Sequence, residues 1–369
     1  SRSKPQRVLF VITDLDVGGA EKCCVQLASG LDRSRWQAEV CCLSEPGVLG
    51  ERLHGAGIPV HTLRAANVWN APRAILKLSQ LIHRVRPAIV HTFLFHANIV
   101  GRVAAWLAGV PRVLSSIRVA ERRFHYHLIL ETITCRLSQK VVCVSDAVAR
   151  FTHRRSHVPR SRLVVIPNGI EVQPITSAPA ADRSHVGLAH DSIVALFVGR
   201  LDPQKGVDVL LRALAIARSQ LPILHLLVAG TGPEHESLAR LAQQLELGSH
   251  VHFLGWRDDV SALLRSANFF VMPSRWEGMP NAVLEAMAAG LPVIATRAEG
   301  SAELVRNGET GRLVAIDDAN ELATAILELA RDAGLRAAWG ERGQAIARTE
   351  FSLASMIARY DQLYESLLR

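Results

Sequence analysis

Residues 269–296 read FFVMPSRWEGMPNAVLEAMAAGLPVIAT, and this stretch indicates the fold of the chain. The apolar runs Phe269–Met272 and Pro292–Thr296 are typical of strands that are buried on both faces. Between them, Ala282–Ala289 has a helical pattern that ends at Gly290, a residue type common just past a helix. Two buried strands joined by a helix lie parallel in one sheet, so the stretch predicts an α/β fold.

The same alternation of apolar runs and helical patterns extends over the whole chain in two series. The first series predicts strands at Arg7–Thr13, Gln37–Leu43, Val60–Leu63, Ala88–Thr92, Arg112–Ile117, Lys140–Ser145 and Leu163–Ile166. Helices are predicted among them at Ala20–Leu31, Pro72–Val85, His96–Ala108 and His125–Leu137. The second series predicts strands at Ile193–Gly199, Ile223–Ala229, Val251–Leu254, Phe269–Met272, Pro292–Thr296 and Arg312–Val314. Each series predicts a doubly wound parallel sheet with helices on both faces.

The length of 369 residues exceeds one ordinary domain and suits two. The Pro-, Ala- and Ser-rich segment 173–182 separates the two series and is the best candidate for a linker. We expect a first domain at 1–172, a second at 183–350 and a C-terminal helix at 351–369. A ligand cleft is expected between two such domains, at the carboxyl ends of their strands.

The composition is 49% hydrophobic and 21% charged, which is typical of globular proteins and excludes disorder over most of the length. The formal net charge of +8 is uneven, because residues 1–170 hold 24 Lys/Arg and 10 Asp/Glu. The basic clusters of this half include Arg118, Arg122, Arg123, Arg154 and Arg155. We interpret them as a face for an anionic membrane surface or a pyrophosphate-linked lipid acceptor. The alternative is that clustered cations solvate a helical surface; nucleic acid is not expected, since no recognised binding motif accompanies the charge.

The sequence contains no apolar run near the roughly 18 residues of a membrane-spanning helix. The basic N-terminal residues precede only the short apolar run Val8–Ile12, which is too short for a signal-peptide core. The six cysteines show no C-x-x-C spacing, so reduced thiols are expected instead of disulfides or a zinc site. We therefore expect a cytoplasmic protein, with peripheral association at the inner face of the membrane as a hypothesis.

A loop of the second series carries two cations. Its strand ends at Gly199, and Arg200 and Lys205 follow. Cations on a tight loop at the carboxyl end of a strand suit two phosphate groups, Arg through its planar fork and Lys as a point charge. A solvated turn with two surface cations is the alternative for this loop taken alone.

Glu277 and Glu285 are two carboxylates with seven residues between them. If the segment were mostly helical, they would lie about 12 Å apart, close to the distance between the hexose and the ribose of a nucleotide sugar. Each carboxylate is an acceptor suited to a pair of hydroxyls. Gly278 allows the backbone to approach a ligand closely, and the following helix start offers amide groups to an anion.

The segment from Glu277 to Glu285, EGMPNAVLE, resembles the E-x7-E signature of the retaining glycosyltransferases of family 4. Other features of that family occur in the same order at Gly18-Gly19-Ala20-Glu21, Ile166-Pro167-Asn168-Gly169, Gly199-Arg200, Lys205-Gly206, Gly230-Thr231-Gly232-Pro233 and Ala289-Gly290-Leu291-Pro292-Val293. The resemblance covers most of the chain. It implies the GT-B fold, in which two Rossmann-like doubly wound α/β domains face each other across a cleft and the final helix crosses back to the first domain.

The resemblance also implies roles for individual residues. Arg200 and Lys205 would neutralise the donor diphosphate, Glu285 would bind ribose hydroxyls, and Glu277 would bind hydroxyls of the transferred sugar. The donor-binding set is completed by Gly18, Gly19, Gly199, Gly278, Met279, Pro280 and Asn281. Among Gly278, Met279, Pro280 and Asn281, Pro280 alone has no backbone amide hydrogen to donate to phosphate or sugar oxygens.

Two histidines after the apolar run Ala88–Val90 are candidates for catalytic residues, namely His91 and His96. Many relatives have His-x-His at this strand end, whereas this chain has His91-Thr92-Phe93. The departure leaves open whether His91, His96 or neither faces the donor sugar. A histidine that only makes structural hydrogen bonds is the alternative for either one.

The resemblance implies an enzyme that moves a hexose from a nucleotide-diphosphate donor, with a UDP-sugar expected, to a glycan or lipid-linked acceptor of cell-surface polysaccharide or glycoconjugate. Because negative charge grows on the leaving phosphate, we expect Arg200 and Lys205 to contribute more to the rate than any acid–base residue. No cofactor and no metal are expected, although Asp14-Leu15-Asp16 has the D-x-D form that holds a metal in a different glycosyltransferase fold. A catalytically silent sugar-nucleotide or glycan-binding protein and a nucleotide-sugar epimerase on the same architecture are the alternatives.

Overall fold

The computed structural model describes residues 4–16, 18–65, 70–120 and 125–369, and it divides into two compact units. The first unit comprises the chain up to Gly169 together with Leu353–Arg369, and the second comprises Ile170–Ser352. Each unit contains one parallel sheet whose strands are connected mainly through helices, so the prediction of an α/β fold is confirmed.

The first unit contains a seven-stranded sheet. Its strands are β1 (Gln6–Ile12), β2 (Trp36–Cys42), β3 (Val60–Thr62), β4 (Ile89–Phe93), β5 (Val113–Ile117), β6 (Lys140–Cys143) and β7 (Leu163–Val165). They lie in the order β3-β2-β1-β4-β5-β6-β7, and all neighbours are parallel. Its helices are α1 (Gly19–Gly30), α2 (Val48–Gly55), α3 (Ala71–Val85), α4 (Phe95–Leu107), α5 (His125–Thr134), α6 (Asp146–Ser156) and, from the end of the chain, α15 (Leu353–Leu368).

The second unit contains a six-stranded sheet. Its strands are β8 (Ile193–Val198), β9 (Leu224–Ala229), β10 (Val251–Gly255), β11 (Phe269–Met272), β12 (Val293–Thr296) and β13 (Gly311–Val314), in the parallel order β10-β9-β8-β11-β12-β13. Its helices are α7 (Val172–Thr176), α8 (Val207–Arg218), α9 (His235–Gln244), α10 (Val260–Ser266), α11 (Asn281–Ala288), α12 (Glu299–Leu304), α13 (Ala319–Arg331) and α14 (Ala333–Thr349).

The central strand β1 shows why its sequence is almost wholly apolar. Successive side chains of a strand point to opposite faces of the sheet. Val8, Phe10 and Ile12 therefore belong to one core, whereas Leu9 and Val11 belong to the other. The first core also contains residues of α1 and α15, and the second contains residues of α3 and α4. Both faces of the sheet are thus buried under helices.

Capping residues fix several helix starts. The side chain of Ser145 accepts a hydrogen bond from the amide of Val148 at the start of α6, at 3.2 Å. Asp318 and Asp332 accept comparable bonds at the starts of α13 and α14. Each such bond satisfies an amide that has no partner within the helix itself.

The strand order reverses at one place in each sheet, between β1 and β4 and between β8 and β11. Connections leave a doubly wound sheet in opposite directions at such a point, which opens a crevice at the carboxyl ends of the two strands. Ligands of open α/β sheets bind in this crevice. A functional site is therefore expected in the loops that follow these four strands.

Several elements differ from the expectations. The helix expected at His125–Leu137 is α-helical only to Thr134 and ends in a 3₁₀ turn at Cys135–Leu137. The segment 173–182, interpreted as a linker, is partly helical in α7, which packs on α10 and α11 of the second unit. All six cysteines are buried with free thiols. In the described part of the chain, no helix combines the length and the apolarity that a membrane span requires.

Candidate active site

The loop after β8 is held against the segment after β11. Asp202 accepts a hydrogen bond from the amide of Gln204 at 3.1 Å, which forms a tight turn. Gly206 ends this turn with φ +63°, and a Cβ at this position would lie 2.3 Å from the carbonyl oxygen of Pro273. Glycine is therefore required here for both its conformation and its size. The result is that the β8 loop and the β11 loop meet at the carboxyl edge of the second sheet.

Lys205 and Glu277 form a direct ion pair at this edge. The Nζ atom of Lys205 lies 2.5 Å from Oε1 of Glu277, and their side chains are only 18% and 7% exposed. The hydroxyl of Ser274, itself buried, donates to the same carboxylate oxygen at 2.7 Å. The structure thus brings together two residues that the sequence analysis had selected independently, one on each loop.

Arg200 lies in the same loop as Lys205 but in a different environment. Its side chain is 71% exposed, and its Nε atom is 3.9 Å from the carboxylate of Asp202. An ion pair this long at an exposed site constrains the guanidinium little. Arg200 therefore carries a charge that can turn toward an anionic ligand at the edge of the sheet.

Further hydrogen bonds support the loop that carries Glu277. The side chain of Gln204 donates to the carbonyl of Trp276 at 2.9 Å. Arg275 donates to the carbonyl of Pro203 at 2.6 Å and pairs with Asp208 at 2.8 Å. These bonds fix the β11 loop to the β8 loop independently of the Lys205–Glu277 pair. Sequence reasoning assigned no role to Ser274, Gln204 or Arg275, although two of them lie within three residues of Glu277.

The donor segment after Glu277 is only partly helical. The helix α11 begins at Asn281, so Glu285 is helical whereas Glu277 precedes the helix in a loop. The expected 12 Å spacing assumed helix throughout, and that assumption is wrong for the residues before Asn281. Gly278, Met279 and Pro280 are buried against the rest of the unit, and Glu285 is half-buried on α11. Gly199 follows Val198, the last residue of β8, and directly precedes Arg200.

In the first unit, Gly18 and Gly19 lie at the start of α1, after the loop that follows β1. Gly18 precedes the first helical residue with extended backbone, and a Cβ at this position would lie 2.1 Å from the carboxylate of Glu21. Burial first, and then repulsion from Asp14 and Asp16, raise the pKa of Glu21 to about 7, against an opposing effect of Arg118. Perturbed carboxyl groups of this kind are concentrated at functional sites, and sequence reasoning missed Glu21. The family motif that contains Glu21 was the available signal.

His91 is a core residue, so the expectation that it acts in catalysis is corrected. It is fully buried, and its ring nitrogens lie 2.7 Å from the hydroxyl of Tyr364 and 2.8 Å from that of Ser116. Burial, together with the nearby cation of Arg118, holds the pKa of His91 well below its usual range. A residue with no accessible surface does not touch a substrate, so this histidine is structural.

His96 is exposed at the start of α4, where the chain leaves β4. Burial of the ring and the neighbouring His127 lower its pKa. The turn that precedes it contains Leu94 with φ +71° and ψ 158°, a conformation that residues other than glycine adopt at a cost of about 1–3 kcal/mol. Such strain is typical of functional sites, and of the two candidate histidines His96 is the one that is exposed.

The arginines expected on one basic face occupy different environments. Arg118 lies at the carboxyl end of β5 and donates to Oδ1 of Asn168, so it is not a surface cation as expected. Arg122 and Arg123 lie outside the described residues. Arg154 and Arg155 are exposed on α6, as is Arg150.

The helix α5 exposes a stripe of apolar side chains next to α6. Tyr126, Ile129, Leu130 and Ile133 are 51%, 59%, 37% and 62% exposed. Their spacing of three and four residues aligns them along one face of a helix. The helix α5 packs against α6, which carries the exposed arginines. An apolar stripe of this kind indicates an interaction surface.

The D-x-D segment is part of a packed turn. The side chain of Asp14 accepts a hydrogen bond from the amide of Asp16 at 3.3 Å, and Leu15 between them is fully buried. Across residues 4–16, 18–65, 70–120 and 125–369, no group of three His, Cys, Asp or Glu side chains is arranged to hold a metal ion.

Two family models match the chain, one in each unit. The model described as Glycosyltransferase Family 4 matches residues 17–174, and that described as Glycosyl transferases group 1 matches residues 180–346. The UDP-Gal:alpha-D-GlcNAc-diphosphoundecaprenol alpha-1,3-galactosyltransferase of Escherichia coli is 30% identical over 275 residues, 70% of each chain. The phosphatidyl-myo-inositol mannosyltransferase of Mycobacterium leprae is 29% identical over 369 residues, which cover 95% of this chain and 93% of that relative.

Among solved structures, HepE of Anabaena in complex with UDP is similar over its full length. The TM-score is 0.85 at 24% identity, and the match covers 98% of this chain and 100% of HepE. HepE has also been solved in complex with UDP-glucose. At this identity the similarity shows a shared fold.

Proposed function

Because the chain is a glycosyltransferase of family 4 with the GT-B fold, we propose that it transfers a sugar from a nucleotide-diphosphate donor to a glycan or lipid-linked acceptor, with retention of anomeric configuration. The observation that carries the proposal is the buried pair of Lys205 and Glu277 at the β8–β11 crevice, with Arg200 exposed in the same loop. A UDP-sugar is the donor we propose, which the UDP complexes of HepE support. Polysaccharide or glycolipid is the proposed product class.

The proposed donor site assigns a different task to each charged group. Arg200 and Lys205 bind the diphosphate, and Glu285 accepts hydrogen bonds from the ribose hydroxyls. Glu277 accepts hydrogen bonds from hydroxyls of the sugar while it keeps Lys205 in place. The buried position of this pair supports the assignment, because fixed charges in a site with little water stabilise a transition state more strongly than charges in water.

In the proposed reaction, the bond between the anomeric carbon and the leaving diphosphate oxygen breaks through an oxocarbenium-like state. The acceptor oxygen bonds to the same face of that carbon, and the acceptor proton passes to the leaving phosphate. No enzymic base is required, and the growing charge on the phosphate is balanced by Arg200 and Lys205. This scheme involves no metal ion, so activity in excess chelator is expected to equal activity without it.

A double displacement through Glu277 is the competing mechanism. Oε1 of Glu277 already accepts hydrogen bonds from both Lys205 and Ser274, which favours a binding role over a nucleophilic one. Mass spectrometry after incubation with a slow donor distinguishes the two mechanisms. A covalent glycosyl adduct on Glu277 would reverse our assignment.

The function is tested by incubating the protein with a panel of UDP-, GDP- and ADP-sugars, with and without glycan and lipid-linked acceptors. Transfer with nucleotide release is the expected result. Nucleotide binding without turnover would indicate a silent binding protein, and an altered but unreleased donor would indicate an epimerase.

Lys205→Met provides the matching variant for this assay. It removes one charge that stabilises the leaving phosphate, so kcat/KM is expected to fall at least about 100-fold, or roughly 3 kcal/mol. Arg306→Met is the control, because Arg306 pairs with Glu350 on the surface of the same unit and the variant is expected to leave the rate unchanged. Equal rates for the wild type and Lys205→Met would contradict the proposed donor site.

The surface formed by the α5 stripe and the α6 arginines is proposed to bind an anionic membrane. Apolar side chains of a half-exposed helix insert at the boundary between headgroups and acyl chains, and nearby arginines attract anionic lipids. The exposure of Ile129 and Ile133 on α5 and of Arg154 and Arg155 on the adjoining helix α6 supports this assignment. Peripheral binding would bring the enzyme to a lipid-linked acceptor at the inner face of the membrane.

A further inference from the structure

Ser274 is the second residue after β11 and belongs to the loop that carries Glu277. It is fully buried, and its hydroxyl donates to Oε1 of Glu277 at 2.7 Å. The same oxygen lies 2.5 Å from Nζ of Lys205, which belongs to the loop after β8. Two donors from two different loops therefore hold one oxygen of this carboxylate.

The backbone that carries the Ser274 hydroxyl is fixed from two sides. The carbonyl of Ser274 accepts a hydrogen bond at 2.5 Å from the hydroxyl of Thr296, a buried residue at the end of β12. The carbonyl oxygen of the preceding residue, Pro273, packs against Gly206, where a Cβ would lie only 2.3 Å away. The hydroxyl therefore projects from backbone that the β8 loop and the end of β12 hold in place.

Lys205 cannot set the direction of the Glu277 carboxylate by itself. Its ammonium lies on a flexible four-carbon stem and has three donors. In the proposed site, the same ammonium also binds the donor diphosphate. The Ser274 hydroxyl is neutral and buried, so it stays with the carboxylate when the ammonium turns toward a phosphate. A hydrogen bond to a charged acceptor of this kind is stronger than one between neutral groups.

We propose that Ser274 is a positioning residue for the donor sugar and that it acts through Glu277. Ser274 and Lys205 both donate to Oε1, so Oε2 is the oxygen that accepts hydrogen bonds from the sugar hydroxyls. A carboxylate free to rotate would lose this orientation, and a small misplacement of a binding group is costly. Ser274 thus matters for the sugar part of a UDP-sugar and not for its nucleotide part. This inference rests on the proposed function.

Calorimetric titration of the full-length protein with UDP, UDP-glucose and UDP-galactose tests the assignment. Ser274→Ala is expected to keep the Kd for UDP within about twofold of the wild type and to raise the Kd for the UDP-sugar that the wild type binds more tightly about tenfold. Equal affinity of the two proteins for that UDP-sugar would overturn the proposal. An equal loss of affinity for UDP and for the UDP-sugar would also overturn it, because Ser274 would then support the whole loop.

Matched variants separate the hydroxyl from the space that it occupies. Ser274→Thr and Ser274→Val add nearly the same volume, but only threonine keeps the hydroxyl. Ser274→Thr is expected to bind the UDP-sugar at least about fivefold more tightly than Ser274→Val, and equal affinities would contradict the proposal. Ser266→Ala is the control for the loss of a buried serine hydroxyl, because that hydroxyl donates to the carbonyl of Leu263 within α10 at 2.8 Å. This control is expected to bind UDP and the UDP-sugar as the wild type does.

A double-mutant cycle tests whether Ser274 acts through Glu277. Glu277→Ala removes the acceptor of the Ser274 hydroxyl, so adding Ser274→Ala to it is expected to change the Kd for the UDP-sugar by less than about twofold. A loss of about tenfold in both backgrounds would show that Ser274 acts independently of Glu277 and would overturn the proposal.

These titrations need no turnover, so their outcome is distinguishable from failure of the proposed function. A wild type that bound a UDP-sugar but transferred no sugar would contradict the proposed function and would leave the assignment of Ser274 to be decided by the affinities above. A wild type that bound neither UDP nor a UDP-sugar would contradict the donor site, and the assignment of Ser274 would be wrong with it.

Discussion

His91 and His96 lie five residues apart after the same run of apolar residues, and their surroundings separate their roles. His91 is enclosed by Phe10, Phe93 and two tyrosines of α15. His96 lies on the outer surface of α4. One turn of chain through Leu94 is thus enough to separate a structural histidine from an accessible one.

Tyr364→Phe tests the structural role of His91. The substitution removes the hydroxyl that lies 2.7 Å from Nδ1 of His91 and leaves that nitrogen buried without a partner. The free energy of unfolding is expected to fall by about 1–3 kcal/mol, with KM unchanged. Denaturant titration measures the effect, and Leu76→Ala at a side chain of α3 that is 61% exposed is the control with no expected loss. A large change in KM with unaltered stability would contradict the structural role and would show that His91 belongs to the active site.

The raised pKa of Glu21 predicts how the stability of the protein depends on pH. Its pKa is raised by burial from an ordinary value of 4.5 to about 7, so the folded protein holds this proton where the unfolded chain releases it. Its contribution to stability therefore decreases as the pH rises from about 4.5 to 7, and it is constant above that range. Glu21→Gln removes this dependence, so the variant is expected to gain stability relative to the wild type across the same interval. Denaturant midpoints of both proteins measured at pH 5 and pH 7.5 check this prediction. If the midpoints of Glu21→Gln and the wild type differed by the same amount at both pH values, the assigned pKa would be contradicted.

At the scale of the element, the α5 stripe determines membrane affinity if the proposed surface is right. The double variant Ile129→Ser with Ile133→Ser removes two apolar side chains that are about 60% exposed. Sedimentation with anionic vesicles is expected to weaken at least about tenfold, since each inserted side chain contributes on the order of 1.5 kcal/mol. Neutral vesicles are expected to bind neither protein.

Trp256→Ser is the matched control for that experiment. Trp256 is 62% exposed but belongs to the second unit, whereas the α5 stripe belongs to the first. The Trp256→Ser variant is expected to sediment with anionic vesicles as the wild type does. Equal vesicle binding by the double variant and the wild type would exclude the α5 stripe as the membrane surface. A wild-type dimer that the double variant abolishes would instead assign the stripe to a second copy of the chain.

The elements show which properties are predictable from local sequence. Strand ends were predicted within one or two residues, because an apolar run bounded by polar residues is a local signal. The environments of His91 and Arg118 were not predictable in this way. The hydroxyl next to His91 comes from Tyr364, 273 residues later, and one partner of Arg118 is Asn168, 50 residues later.

The donor residues were predictable in part from the sequence. Residue types alone indicated that Arg200 and Lys205 suit phosphate and that Glu277 and Glu285 suit hydroxyls. The family resemblance joined them into one site. Neither source predicted the direct contact of Lys205 with Glu277, because that contact depends on the adjacency of β8 and β11 in the sheet.

At the scale of the whole molecule, α15 completes the first unit. Tyr360 and Tyr364 are fully buried in its core, and Asp361 accepts a hydrogen bond from the indole of Trp36 at 2.5 Å. Truncation after Ser352 is therefore expected to unfold the first unit and to leave the second folded and able to bind UDP. Calorimetric unfolding and UDP titration of the truncated chain test this. Loss of UDP binding together with the first transition would show that the two units do not fold independently.

The placement of α15 also imposes an order on biosynthesis. The second unit, Ile170–Ser352, is a continuous segment, whereas the first unit lacks a part of its core until residues 353–369 have been translated. At ordinary translation rates the first sheet waits roughly 10–40 s for that part, with the pocket for Tyr360 and Tyr364 unfilled. Nascent chains arrested before α15 are expected to be cleaved by protease within residues 1–169, and longer chains released from the ribosome are expected to resist. The unit that is synthesised first is thus the last to complete its core. Until residues 353–369 are added, its incomplete core exposes apolar surface to which chaperones bind.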